Sequence, residues 1–113
     1  MKVLIITSND YGWGAAAAAF LRDYSSKIEA VSASCSQPNS KDSLVKEAMH
    51  ECLINLEDET TLWNPEVNPQ SFDVVMNLEE TYPCPSSIEE ARRIRDDIKN
   101  TFFLWLRAQG KIE

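Results

Sequence analysis

The stretch that most constrains this chain is "KVLIITSNDYGWGAAAAAFLRD" near its start. Within the β-rich segment Lys2 to Thr7, Val3 to Ile6 is an unbroken apolar run without polar alternation. That pattern suits a strand covered on both faces, as in the centre of a parallel sheet. A polar loop follows, and then five alanines. Alanine is the strongest helix former, and Ala16, Ala17, Phe20, Leu21 and Tyr24 recur at helical spacing, which predicts a helix over 14–25 with one apolar face. A buried strand that turns through a short loop into a helix is the opening half of a parallel βαβ unit.

The rest of the chain repeats the alternation. "KIEAVSAS" predicts a second strand, with Ile28, Ala30 and Ser32 on one side and Val31 on the other. The polar residues 39–42 can cap a second helix whose stripe is Leu44, Val45, Ala48, Met49 and Cys52; His50 falls off that stripe, towards solvent. Residues 55–71 are acidic and then rich in Asn and Pro, which argues against regular structure, with Leu62 and Trp63 as anchors onto the core. "FDVVMNL" predicts a third strand, and "ETYPCPSS" a loop. Ser87 and Glu90 form a capping-box pattern ahead of a long helix that buries Ile88, Ala91, Ile94, Ile98, Phe102 and Trp105. Arg92, Arg93, Asp96, Lys99 and Arg107 fall on its wet face, and Gly110 stops it. The order βαβα–loop–βα specifies an α/β three-layer sandwich: a parallel sheet of three to four strands, order 2-1-3, with helices on both faces and right-handed crossovers.

At 113 residues, 43% of them hydrophobic, the chain is expected to form one domain over 1–113. Its net charge of −7 opposes nucleic acid and anionic membrane as partners, and no apolar run is long enough to span a bilayer. No leader peptide is expected. Cys35, Cys52 and Cys84 are odd in number and widely spaced, which fits a reducing, cytoplasmic setting rather than a disulfide framework. Together with the single His50 they make no zinc-binding spacing. The runs Glu57-Asp58-Glu59 and Glu79-Glu80 read as solvated surface, so no metal and no cofactor are expected.

In sheets of this kind ligands bind beyond the carboxyl ends of the strands. The first strand-to-helix loop, Ser8, Asn9, Asp10, Tyr11, Gly12, Trp13 and Gly14, is therefore the candidate anion loop, with backbone amides and a helix start to offer. Gly12 to Ala17 fits G-x-G-x-x-A. In a dinucleotide site, however, the first glycine follows the strand directly, and an acid ends the second strand; here "SASCS" ends it. The Gly-Lys-Ser/Thr of an ATP loop is absent.

Several segments in order resemble another family. "VLIIT", Thr7-(x)5-Trp13-Gly14 and "AAAAAFLRD" are similar to the strand, Cys-(x)5-Arg-Ser loop and helix that open the low-molecular-weight tyrosine phosphatases, and more closely their thioredoxin-coupled arsenate reductase relatives. "VSASC", "KEAMHECLINLEDETT", "FDVVMNLEETYPCP" and "EEARRIRDDIKN" resemble later segments of the same family, so the likeness covers nearly the whole chain. It implies the same fold, with the fourth strand reduced or missing because the helix at Ser87 follows Pro85 almost at once.

The resemblance also shows what this chain lacks. Thr7 stands where the family has its nucleophilic cysteine, and a hydroxyl with no base beside it stays protonated. Trp13 stands at the arginine that clamps the oxyanion, and Gly14 at the serine that steadies the thiolate. The Asp-Pro loop carrying the general acid is absent. Of the two resolving cysteines, Cys84 matches the second and Asn77 occupies the first. Such groups act as a unit, so the expectation is a pseudoenzyme serving as a binding or regulatory module. Its partner would be another protein or a second copy of itself, with Trp13 either an exposed anchor or folded into the space of the missing anion. Two alternatives stand beside it. One is a residual enzyme with relocated chemistry, using Cys35 with Cys84 as resolving partner. The other is a weak oxyanion sensor, with affinity no better than about −4 kcal/mol.

Overall fold

A computed structural model describes residues 1–8, 11–35, 41–59, 61–63, 67–78 and 82–110. Four strands and three helices alternate: β1 (Lys2–Thr7), α1 (Trp13–Tyr24), β2 (Glu29–Ser34), α2 (Ser43–His50), β3 (Thr61–Trp63), β4 (Val74–Asn77) and α3 (Ile88–Ala108). The sheet is parallel throughout, in the order β3-β2-β1-β4. The apolar run at the start of the chain lies at its centre. Val3, Leu4 and Ile5 are fully buried, so both faces of β1 are covered there.

The predicted 2-1-3 order is present as β2-β1-β4. The fourth strand is not in the reduced segment after it: none of the described residues between Leu78 and Ile88 is in a strand. It comes instead from the stretch expected to be irregular. Thr61–Trp63 pairs with Ser32–Ser34, and the hydroxyls of Ser32 and Thr61 lie 3.2 Å apart. Three residues suffice because the edge of β2 is open there and the β-favouring Thr-Leu-Trp sequence fits it. Of the two anchors expected in this stretch, Leu62 is 38% exposed and so does not serve as one; the side chain of Trp63 lies outside the described residues. Single 3₁₀ turns at Leu56–Asp58 and Pro69–Ser71, capped by Asn55 and Asn68, account for more of the segment.

α1 is buried more completely than a one-faced stripe requires: every residue from Trp13 to Leu21 is buried. The helix packs on β1, β2 and α3 together, and alanine side chains let the backbones approach closely on every side. α2 starts where the polar turn ends. Asp42 Oδ1 accepts from the amides of Leu44 and Val45 at 2.9 and 3.3 Å, while Val45, Ala48 and Met49 face the core and His50 faces solvent. α3 carries the expected cap, Ser87 Oγ accepting from the Glu90 amide at 3.1 Å. The Glu90 carboxylate receives the Ser86 hydroxyl at 3.0 Å. Its buried stripe is Ala91, Ile94, Ile98, Phe102 and Leu106, with Ile88 and Trp105 half-buried. Gly110 ends it at φ +67°, the left-handed conformation that favours glycine.

Arginines join the last turn of α2 to α3. Arg92 grips Glu51 through Nε and a terminal nitrogen at 2.8–3.1 Å. Arg95 donates to Glu51 at 2.7 Å and to the Ala48 carbonyl at 2.9 Å. The bonds from Arg92, then Arg95, hold the Glu51 carboxyl down at about 2. No helix among the described residues is long and apolar enough to cross a membrane.

Candidate functional site

The carboxyl edge of the sheet gathers the residues singled out in the sequence. Thr7 ends β1, and its carbonyl accepts from the Cys35 amide at 2.8 Å. On the other side the Leu78 amide donates to the Ile6 carbonyl at 2.8 Å. A cleft of about 200 Å³ opens at this edge. Its floor is Thr7 and Ser8 and one wall is Tyr11 and Trp13 at the head of α1. The opposite wall is Leu78 with Tyr82, Pro83 and Cys84. Of the candidate loop, Asn9 and Asp10 lie outside the described residues.

Two glycines fix the head of α1. Gly12 is the N-cap, left-handed at φ 112°, and makes no side-chain cap hydrogen bond. A β-carbon there would sit 3.0 Å from Val45 Cγ1 and 3.2 Å from Leu56 Cδ1. At Gly14 a β-carbon would come within 3.1 Å of the Thr7 methyl and 3.4 Å of Ser32 Cβ. The branched side chain of Thr7 thus occupies the room that a serine at position 14 needs, and the two positions are sterically linked. Thr7 is 8% exposed, its hydroxyl 3.5 Å from the Ala33 carbonyl oxygen, a long contact.

Trp13 is 2% exposed. Its indole N–H donates to the Pro83 carbonyl at 2.9 Å. The ring is a wall of the cleft, tied to the Pro-rich segment opposite, and is not an exposed anchor for a partner. The Pro-rich segment is pinned elsewhere too. The hydroxyl of Tyr82 interacts with Thr101 and Asp97 of α3; burial, foremost, pushes it up, the Thr101 bond opposes, and the Asp97 charge adds to the rise. Cys84 donates to Asp42 Oδ2 at 3.4 Å. Desolvation, then the bond to Asp42, then the charges of Asp42 and Glu90 raise the Cys84 thiol. It stays a thiol at neutral pH, the reverse of what a nucleophilic or resolving cysteine needs.

The structure brings Thr7, Ser8, Tyr11, Trp13 and Cys84 to one cleft, and Gly12 and Gly14 behind it. Cys35 is exposed just past the end of β2 and does not line the cleft. Tyr82, Leu78, Pro83 and Asp42 were not singled out as site residues in the sequence. The signal for Tyr82 and Pro83 was the double-proline loop after the third predicted strand, and for Leu78 its place at the end of that strand, both at the ligand edge of the sheet. Lys41, beside Asp42, points away and donates to the Glu59 carbonyl at 2.9 Å. Among the described residues lining the cleft none is a lysine or an arginine. Among the described residues no three His, Cys, Asp or Glu side chains are grouped to hold a metal ion.

No family model matches the chain, and no curated protein does. Solved structures do match. An arsenate reductase in the phosphate binding state superposes with a TM-score of 0.80 at 17% identity, covering 95% of this chain and 97% of that one. An arsenate reductase from Archaeoglobus fulgidus gives 0.78 at 18% identity, over 92% and 98% of the two chains. A mutant of YwlE from Bacillus subtilis gives 0.80 at 14% identity, over 98% and 99%. At such identities the likeness is one of architecture: the chain has the fold of these arsenate reductases along essentially its whole length.

Proposed function

We propose that the chain is a catalytically inactive relative of the arsenate reductases and low-molecular-weight phosphatases, working as a binding or regulatory module. The observation that carries this reading is the lining of the cleft at the carboxyl end of β1. It offers Thr7 where a thiolate is required, a buried Trp13 where an oxyanion clamp is required, and no cationic side chain among the described residues. The lining thiol of Cys84 is held protonated by desolvation and its acidic neighbours. Nucleophile, clamp and acid act together, so losing all of them removes far more than a partial defect would.

The test is turnover by the purified chain of a chromogenic phosphate ester, and of arsenate with thioredoxin as reductant. The expected rate is that of a triple variant with all cysteines replaced by serine. A cysteine-dependent rate above that background sinks the proposal. If the rate then disappears in Cys35→Ser alone, the chemistry has moved to that thiol.

A further inference from the structure

The cleft has been relined, not merely emptied. Tyr11 and Tyr82, half-buried, bring two aromatic rings to a space of about 200 Å³, and the buried Trp13 ring, Leu78 and Pro83 complete the apolar wall. An apolar cavity of about 150 Å³ is enough to hold benzene, so the cleft has room for a small ligand. Acidic groups stand close to it. The Asp42 carboxylate stands 3.4 Å behind the lining thiol of Cys84, Glu90 acts on the same thiol, and the chain carries a net charge of −7. The described cations nearby are directed elsewhere. Lys41 is bonded to the Glu59 carbonyl. Arg93 lines the neighbouring hollow on the other side of Tyr82 and Pro83, together with Asp97.

Aromatic faces carry negative charge and attract organic cations, most strongly where water is excluded. A carboxylate beside the lining thiol adds to that attraction, while an oxyanion finds no cationic side chain among the described lining residues. We propose that this cleft binds a small organic cation with an apolar shell, of the alkylated ammonium class, in place of the oxyanion that the fold's site otherwise suits. The inference deepens the binding-module reading and rests on it, since a working phosphatase or reductase needs the opposite polarity at the same place. The indole N–H of Trp13 is already committed to Pro83, which leaves the Trp13 ring as a wall, not a hydrogen-bond donor. Recognition then comes from faces and field, not from directed hydrogen bonds.

The experiment is an amide NMR titration of the intact chain with benzyltrimethylammonium, with its uncharged carbon isostere, and with inorganic phosphate. Saturable shifts of Ser8, Tyr11 to Gly14 and Cys84 are expected with the cation, at a Kd about fivefold or more below that of the isostere. Asp42→Asn keeps an N-cap of equal quality but removes the charge, and is expected to weaken the cation about threefold while leaving the isostere unchanged. Tyr11→Leu removes one ring and is expected to weaken it further. Equal affinity for cation and isostere overturns the proposal in favour of a plain apolar pocket. Phosphate binding without cation binding overturns it in favour of an anion sensor. No shift with any probe also overturns it, yet leaves the inactive-module reading standing. That reading falls only to the turnover assay.

Discussion

The head of α1 and the head of α3 both follow a strand of the sheet, and they are built on different principles. α3 is closed by its own polar chemistry: Ser87 caps it, and Glu89 and Glu90 stand in its first turn, where negative charge complements the helix start. α1 has no side-chain cap and no acid in its first turn. It is held by contact: Gly12 against Val45 and Leu56, Gly14 against Thr7, Trp13 against the Pro-rich segment. A capped helix start belongs to the helix alone. One held by packing is coupled to whatever packs on it.

The strongest way to break this comparison is Trp13→Ala. It removes a fully buried ring and the bond to Pro83 at once, and is expected to cost about 3–5 kcal/mol in chemical denaturation. Next is Gly14→Ser, expected to cost about 1–3 kcal/mol through its clash with the Thr7 methyl. Adding Thr7→Ser, which deletes that methyl, should recover at least about 0.5 kcal/mol; strict additivity in this double-mutant cycle would refute the pairing of the two sites. Ser87→Ala tests the other helix start, and a loss near 1 kcal/mol is expected, with no effect on ligand shifts at the cleft.

The smallest effect concerns pH, and it lies away from both helix starts. The Glu51 carboxyl is held at about 2 against an ordinary 4.5. Its contribution is therefore complete above the ordinary value and is lost as pH falls from there towards about 2. The urea midpoint of Glu51→Gln should change less across that interval than the parent's. Parallel curves would show that the arginine seam between α2 and α3 contributes nothing to acid stability.

Much of the fold was legible because burial and periodicity are local properties. β1, α1, β2 and α3 announce themselves by unbroken apolar runs, an alanine tract and a capping pair. β3 did not, because three residues among acids and Asn-Pro pairs carry no period; their structure comes from the open edge of β2 beside them. The cleft was half legible. A resemblance to a motif points to Thr7, Trp13 and Gly14, but it cannot say that Trp13 turns inward or that Asp42 caps α2 with one oxygen while the other takes the Cys84 thiol. Those facts belong to residues 70 and 42 positions apart in the chain, brought together only by the sheet. The steric link between Thr7 and Gly14 is likewise invisible until β1 and the head of α1 are in contact.

The left-handed glycine at the head of α1 has a consequence for change over generations. Val45 and Leu56 press on Gly12, and neither of them lines the cleft. Shape is thus maintained on one side of the turn and chemistry displayed on the other, by separate sets of residues. Substitutions on the display side can alter what the molecule recognises while the turn itself survives. Such an arrangement lets the displayed chemistry change without passing through an unfolded ancestor.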